Sequence, residues 1–291
     1  MLRGLVAAGV DVPLVVTQPD RPAGRRRVPT PPPVADAARE LGLPLVQPER
    51  IADALPDLLA VAPAAVAICA YGQLLPMGLL GLCPWLNLHP SLLPRWRGAA
   101  PVERMLMAGD VETGVAVMRT VLELDAGPVV AVERFAVGPD ADAGDVEAEA
   151  LRRGVPLLVA ALAAAADGTL AEQPQSADGV TYAAKLERAD RLVDPLADGV
   201  RATADRVRAL RPRVGALLDL GGEAATVWRV AASEAEVAPG AVAVDDGRLV
   251  IGLADGALEV LELQTPGRRA LPAADWLRGR RAAPARASRP A

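Results

Sequence analysis

Asn87 and His89, in the run WLNLHP, are the residues whose types and spacing could do chemistry together. On a strand, residues i and i+2 project to the same side, so a carboxamide and an imidazole would meet one reacting centre. The imidazole can take a proton from an attacking amine. The amide N–H can hydrogen-bond the oxyanion of an acyl-transfer intermediate. A third group is needed to orient the ring and set its charge. Asp125, in LELDAGPV, is the candidate, because the backbone there must turn between two strands. No Ser or Cys stands in a recognisable nucleophile setting, which favours direct transfer over a covalent intermediate. From spacing alone, His89 reads more readily as a satisfied core residue than as a catalyst, and Asp125 as an ordinary turn residue.

The elements that must carry these groups follow from periodicity. Apolar runs at 12–16, 64–72 and 85–90 read as buried strands, and amphipathic stretches at 34–42, 101–110 and 145–167 read as helices. Strands alternating with helices imply a mostly parallel α/β sheet. Sites in such sheets form at the carboxyl ends of the strands, where Asn87, His89 and the Tyr71–Gly72 loop fall. Residues 171–186 are polar and rich in turn formers, and read as a linker. Beyond them, one helix precedes short alternating runs separated by DDGR and ADGA, the pattern of hairpins in a small β-barrel. The expected division is residues 1–170, a linker at 171–186, and 187–291.

Composition narrows the class. With 52% hydrophobic residues the 291-residue chain can bury sizeable cores. Its longest apolar run, 155–166, is too short to cross a bilayer. The N-terminus lacks the pattern of a secretory signal. Cys69 and Cys83 lie in apolar surroundings without ligand spacing, so neither a disulfide framework nor a metal site is expected, and the compartment is read as cytoplasmic. The net charge is −5, yet nearly every basic residue is arginine, and Lys185 and His89 are the only ones of their kind.

The run NLHPSLLPRWRGAAPVERMLMAGDVETGV followed by LDAGPV resembles the folate-dependent formyltransferases, and SLLPRWRGAAP is similar to their methionyl-tRNA formyltransferase branch. TQPDRPAGRRRVPTPPPV, AYGQLLP, GVTYAAKL, RALRPRVGA, VWRV and QTPGRRALPAADWLRGRR extend the likeness, in order, over nearly the whole chain. The resemblance implies a Rossmann-like, mostly parallel sheet domain and a smaller C-terminal OB-like β-barrel. It implies 10-formyltetrahydrofolate as cosubstrate, no metal, and initiator methionyl-tRNA as acceptor. Asn87, His89 and Asp125 would be catalytic, with His89 and Asn87 stabilising the oxyanion and Asp125 tuning His89 and helping to move the proton through water. Ala70, Tyr71, Gly72, Leu74 and Pro76, with Ser91, Leu92, Leu93 and Pro94, would form the folate pocket. Arg21, Arg25, Arg26 and Arg27, in a proline-stiffened loop, would meet tRNA phosphates, and Lys185 would lie near the tRNA at the join between domains. Arg95 and Arg97 read either as ion-paired structural residues or as tRNA contacts. The barrel would add a second, electrostatic tRNA surface. The protein is expected to act as a monomer, away from membranes.

The pattern departs from the family at its start. The family opens with a buried strand and a turn of the type FAGTP, whereas this sequence opens inside the following helix, so an N-terminally truncated first domain is expected. An upstream start is the preferred reading and a degenerate copy the other. Rival functions are formyl transfer to an amino sugar nucleotide or to glycinamide ribonucleotide, or an inactive tRNA- or folate-binding remnant. The arginine loop and barrel speak against the first pair, and the intact Asn87, His89 and Asp125 against the remnant.

Overall fold

The computed structural model describes residues 1–23 and 28–290, so Arg25, Arg26 and Arg27 lie outside the described residues. By their packing the residues fall into two compact units, and each draws on several segments. Unit 1 comprises Met1–Ala99, Thr113–Phe135 and Glu149–Tyr182; unit 2 comprises Ala100–Glu112, Ala136–Ala148 and Ala183–Ala291.

The first half of the chain runs α1 (Leu2–Ala7), β1 (Val15–Val16), β2 (Arg21–Ala23), β3 (Val28–Thr30), α2 (Pro33–Glu40) and β4 (Leu45–Val46). It continues through α3 (Leu55–Val61), β5 (Val66–Ile68), α4 (Met77–Leu80), β6 (Trp85–His89) and β7 (Arg97–Gly98). Next come α5 (Pro101–Met107), β8 (Glu112–Arg119), β9 (Val129–Ala136) and α6 (Ala143–Ala166). The strand expected at 12–16 is reduced to two residues, because Pro13 has no N–H for a ladder. The strand expected at 64–72 stops at Ile68, because Ala70 (φ 48°) and Gly72 (φ 80°) turn the backbone out of the sheet.

In unit 1, β1 pairs with β4 in parallel, Val15 opposite Leu45. A second sheet has the order β5-β6-β8-β9. Its β5–β6 pair is parallel, with Ile68 opposite Asn87, and its β6–β8 pair is antiparallel, with His89 opposite Ala116. Side chains join these two sheets, since no strand among the described residues pairs with both. Leu14 and Val16 pack with Ile51, Leu58, Leu79 and Trp85. At the strands' carboxyl ends, Gln18 Nε2 donates to the Tyr71 carbonyl at 3.1 Å. A second cluster of Leu2, Val15, Ala37 and Ala38 seats α1 and α2. Helix α6 comes close to the larger sheet at Gly154, where a Cβ would meet Leu88 at 2.6 Å and Val115 at 2.8 Å.

Past β10 (Tyr182–Ala183) the chain is in unit 2: α7 (Arg188–Arg191), α8 (Val200–Leu210), β11 (Ala216–Leu220), β12 (Ala224–Ser233), β13 (Val242–Asp245), β14 (Arg248–Leu253), β15 (Gly256–Gln264), β16 (Leu271–Pro272), α9 (Ala273–Arg278) and β17 (Ala287–Ser288). The antiparallel order β13-β14-β15-β12-β11-β17 is nearly closed into a barrel. Ala287 N donates to Gly240 O at 2.9 Å and Val242 N to Ala285 O at 3.2 Å, bringing the last strand back to the first. The DDGR hairpin turns on Asp246 (φ 49°) and Gly247 (φ 76°), the double positive φ of a tight two-residue turn. Leu218, Leu220, Val227, Leu249, Ile251, Leu258, Val260 and Leu263 fill the barrel, with α8 and α9 adding Val207, Leu210 and Trp276. The architecture is the expected one: an α/β unit with parallel pairing among its early strands, followed along the chain by an OB-like barrel.

Candidate active site

Strand β6 sets Asn87 and His89 on one side, and both reach Asp125. Asn87 Nδ2 is 3.4 Å from Asp125 Oδ1, and His89 Nδ1 is 3.8 Å from Asp125 Oδ2. The second contact is too long for a direct hydrogen bond. The Gly98 amide donates to Oδ2 at 2.8 Å, so β7 pins the carboxylate. The other ring nitrogen, His89 Nε2, lies 2.9 Å from the carbonyl oxygen of Trp96. A carbonyl only accepts, so Nε2 carries a proton, and Nδ1, facing Asp125, is the nitrogen left to accept one. His89 is buried and the Asp125 side chain is 13% exposed.

The turn that presents Asp125 is specified locally. Asp125 adopts φ 48°, which few non-glycine residues do, although aspartate is among the more tolerant. Two residues on, a Cβ at Gly127 would stand 1.7 Å from the carbonyl oxygen of Arg119, so only glycine allows β8 and β9 to pair through this corner. Arg119 N donates to Pro128 O at 2.9 Å just beyond it. Leu122 and Leu124, before the aspartate, are exposed apolar side chains.

Two turns flank the triad at the ends of the adjacent parallel strands β5 and β6. After β6, Ser91 Oγ donates to Arg95 O at 2.7 Å and Arg95 N to Leu92 O at 3.0 Å, folding the Ser91–Pro94 segment, whose Leu93–Pro94 bond is cis. Leu92 seats against Gly114, where a Cβ would clash at 2.3 Å. After β5, the left-handed Ala70 and Gly72 carry Tyr71 between them. Tyr71 packs beside the Ile51–Trp85 cluster, yet its hydroxyl is buried with no hydrogen-bond partner, and burial pushes the phenol pKa up. Leu74 and Met77 beyond it are widely exposed. An orphaned hydroxyl beside the exposed Ala70, Gly72 and Leu74 fits a site for a heterocycle with polar edges.

Comparison with known proteins decides the family. The model described as formyl transferase matches residues 5–162, and that described as formyl transferase, C-terminal domain, matches residues 185–281. The chain belongs to the formyl transferase family. It is 43% identical over 295 residues to the methionyl-tRNA formyltransferase of Halorhodospira halophila, covering 97% of this chain and 93% of that one. It is 42% identical over 290 residues to that of Methylobacterium sp. (strain 4-46), with coverage of 97% and 93%. To that of Leifsonia xyli subsp. xyli it is 43% identical over 278 residues, with coverage of 94% and 91%. Among solved structures, HypX from Aquifex aeolicus in complex with tetrahydrofolic acid superposes with a TM-score of 0.64 at 21% identity, covering 83% of this chain and 43% of that one. The N-formyltransferase from Helicobacter canadensis in complex with folinic acid and dTDP-3-aminofucose gives 0.63 at 12% identity, covering 91% and 94%. At these identities the two structures speak to the fold alone.

Within this formyl transferase chain the basic residues fall in different settings. Arg21 is exposed and 3.3 Å from Glu49. Lys185 is exposed in unit 2, on a segment whose carbonyls at Ala184 and Lys185 accept from Arg104 at 3.0 and 3.2 Å. Arg95 lies over the Trp96 ring, 5.3 Å from its centroid. Arg97 is buried, and its side chain is engaged by Gln175, the structural alternative of the two open for it. Sequence reasoning missed Gln175 and Thr181. Thr181 Oγ1 accepts from Trp96 N at 2.9 Å, and the Thr181 carbonyl accepts from Arg97 N at 3.0 Å, so it holds the loop whose Trp96 carbonyl accepts the His89 hydrogen bond. Their only signal was membership of the GVTYAAKL match and the polar run before it. Among the described residues no helix is long and apolar enough to cross a membrane, and no cluster of His, Cys, Asp and Glu could hold a metal ion.

Proposed function

We propose that this chain transfers the formyl group of 10-formyltetrahydrofolate to the α-amine of methionine carried by initiator tRNA. The carrying observation is the match to methionyl-tRNA formyltransferases at 43% identity over 97% of the chain, through both units. The cosubstrate supplies an activated one-carbon acyl group; everything else is the work of this chain.

Asn87 donates toward Asp125 through one amide hydrogen, and the second is the donor for the carbonyl oxygen that gains charge when the amine adds. His89, held by Trp96, takes the amine proton at Nδ1, and that proton is returned to the folate nitrogen as its bond to the formyl carbon breaks, so one C–N bond replaces another. Asp125 faces the ring from 3.8 Å, so its carboxylate would balance the charge of the protonated imidazole. Ala70, Tyr71, Gly72, Leu74 and Pro76, with Ser91–Pro94, would hold the folate, the Tyr71 hydroxyl meeting a polar edge. Arg21, Arg25, Arg26, Arg27 and Lys185 would bind tRNA phosphates. We take the protein as a cytoplasmic monomer, with residues 1–170 as catalytic domain, 171–186 as linker and 187–291 as tRNA-binding domain.

The test is formyl transfer by the purified chain with 10-formyltetrahydrofolate and methionyl initiator tRNA. Formylmethionyl-tRNA is the expected product. A folded protein that instead formylates only an amino sugar nucleotide or glycinamide ribonucleotide, or nothing, would overturn the reading.

A further inference from the structure

Asp125 and Gly127 allow the turn locally, and contacts from other segments hold it in place. The Asp125 backbone sits at φ 48°, and its loop is preceded by exposed Leu122, Glu123 and Leu124, of which Glu123 makes one long contact, 3.5 Å, with Arg97. What meets the turn is the carboxamide of Gln175. Its Nε2 donates to the carbonyl of Asp125 at 2.8 Å and to that of Gly127 at 2.7 Å, spanning the corner. Its Oε1 accepts from Arg97 Nε at 3.0 Å and Nη2 at 2.8 Å. Two donors and two lone pairs are thus all used, and the amide orientation is unambiguous, since a flip would set oxygen against two carbonyls and N–H against guanidinium. Arg97 is buried, and the next residue, Gly98, donates its amide to the Asp125 carboxylate. One short strand therefore grips Asp125 twice, directly at the carboxylate and through Gln175 at the backbone. Gln175 is itself tethered, because Gln173, two residues earlier, exchanges both main-chain hydrogen bonds with Val129 at 2.8 and 2.9 Å.

We propose that Gln175 is a positioning residue for the transfer step: through its carboxamide it locks the left-handed turn that aims Asp125 at His89 and Asn87. This rests on the reading of those three residues as the catalytic centre. Gln175 touches no reacting atom and acts only through the turn. A misplaced carboxylate lowers the rate of the chemical step without weakening either substrate.

The experiment uses two variants of the full chain. Gln175→Glu keeps an acceptor for Arg97 but loses both donors to the turn; Gln175→Leu loses donors and acceptor without adding charge. Either one that folds, judged by circular dichroism and thermal midpoint, carries the test. The expected result is a kcat lowered on the order of 10- to 100-fold, with KM for folate and for tRNA within about twofold of wild type. The second readout needs no turnover. His89 is the only histidine, so its ring resonances are assignable without ambiguity. They should move in Gln175→Leu in the direction that Asp125→Asn moves them. A folded variant with unchanged kcat, or with His89 resonances as in wild type, overturns the proposal. Wild-type inactivity on methionyl-tRNA would sink the functional reading instead, while leaving the resonance test of the Gln175–Asp125 link standing.

Discussion

His89 donates its Nε2 proton to the main-chain oxygen of Trp96 across 2.9 Å. The bond assigns one ring nitrogen to architecture and the other to chemistry, and the two can be separated by substitution. In His89→Gln the side-chain amide nitrogen can still reach Trp96, but nothing accepts a proton at the Nδ1 position. The variant should fold, bind tRNA as before and lose about 10²- to 10⁴-fold in single-turnover formyl transfer. Loss of tRNA affinity alongside activity would recast the residue as structural.

Tyr71 carries a buried hydroxyl with no partner. Removing such a group costs the free protein nothing and relieves a desolvation penalty of about 1–3 kcal/mol. Tyr71→Phe should therefore melt at the wild-type temperature or above it, while KM for 10-formyltetrahydrofolate rises several-fold. An unchanged KM would take the hydroxyl out of the folate site.

Neutralising Arg25, Arg26 and Arg27 together should weaken tRNA binding and flatten its salt dependence, by a slope of roughly 0.7–0.9 for each phosphate that the loop no longer neutralises. Affinity measured from low to moderate salt decides it. If the slope stays put, the loop does not meet the tRNA backbone.

In unit 2, Arg104 grips Asp190 at 2.6 and 2.8 Å, and this hydrogen-bonded pairing holds the carboxyl below its ordinary value of 3.8. A depressed folded value stabilises above the unfolded pKa and is lost as pH falls through the folded one. Arg104→Met should cost about 2 kcal/mol near neutrality, and the gap from wild type should narrow as pH drops below 3.8. Denaturant titrations at several pH values test this. A gap constant down to low pH would assign the loss to packing.

Much of the centre was legible because its signals are local. Period-two spacing put Asn87 and His89 on one side, and Asp-Ala-Gly announced a corner. Gln175 was not legible, since its donors go to main-chain carbonyls 50 and 48 residues away, which leave no imprint on side-chain patterning, and its acceptor meets Arg97 78 residues away. Thr181 reaches Trp96 across 85 residues in the same way. The run at 171–186 is mostly exposed, and only single side chains in it, those of Gln175 and Thr181, reach another segment's backbone. The barrel strands were readable from hairpin turns, but β17, two residues long and paired with β11 far from it in sequence, was not.

Helix α5 packs against α8 with Val102, Met105 and Leu106 fully covered, although α8 lies far downstream in the chain. On a ribosome the earlier helix emerges long before its partner. Its apolar stripe must wait through the synthesis of α6 and of residues 167–199 before α8 can cover it. For that interval the nascent chain presents an unshielded adhesive surface between segments of a unit that is otherwise ready to fold. Between the translation of α5 and that of α8, the growing polypeptide therefore carries an added hazard of self-association.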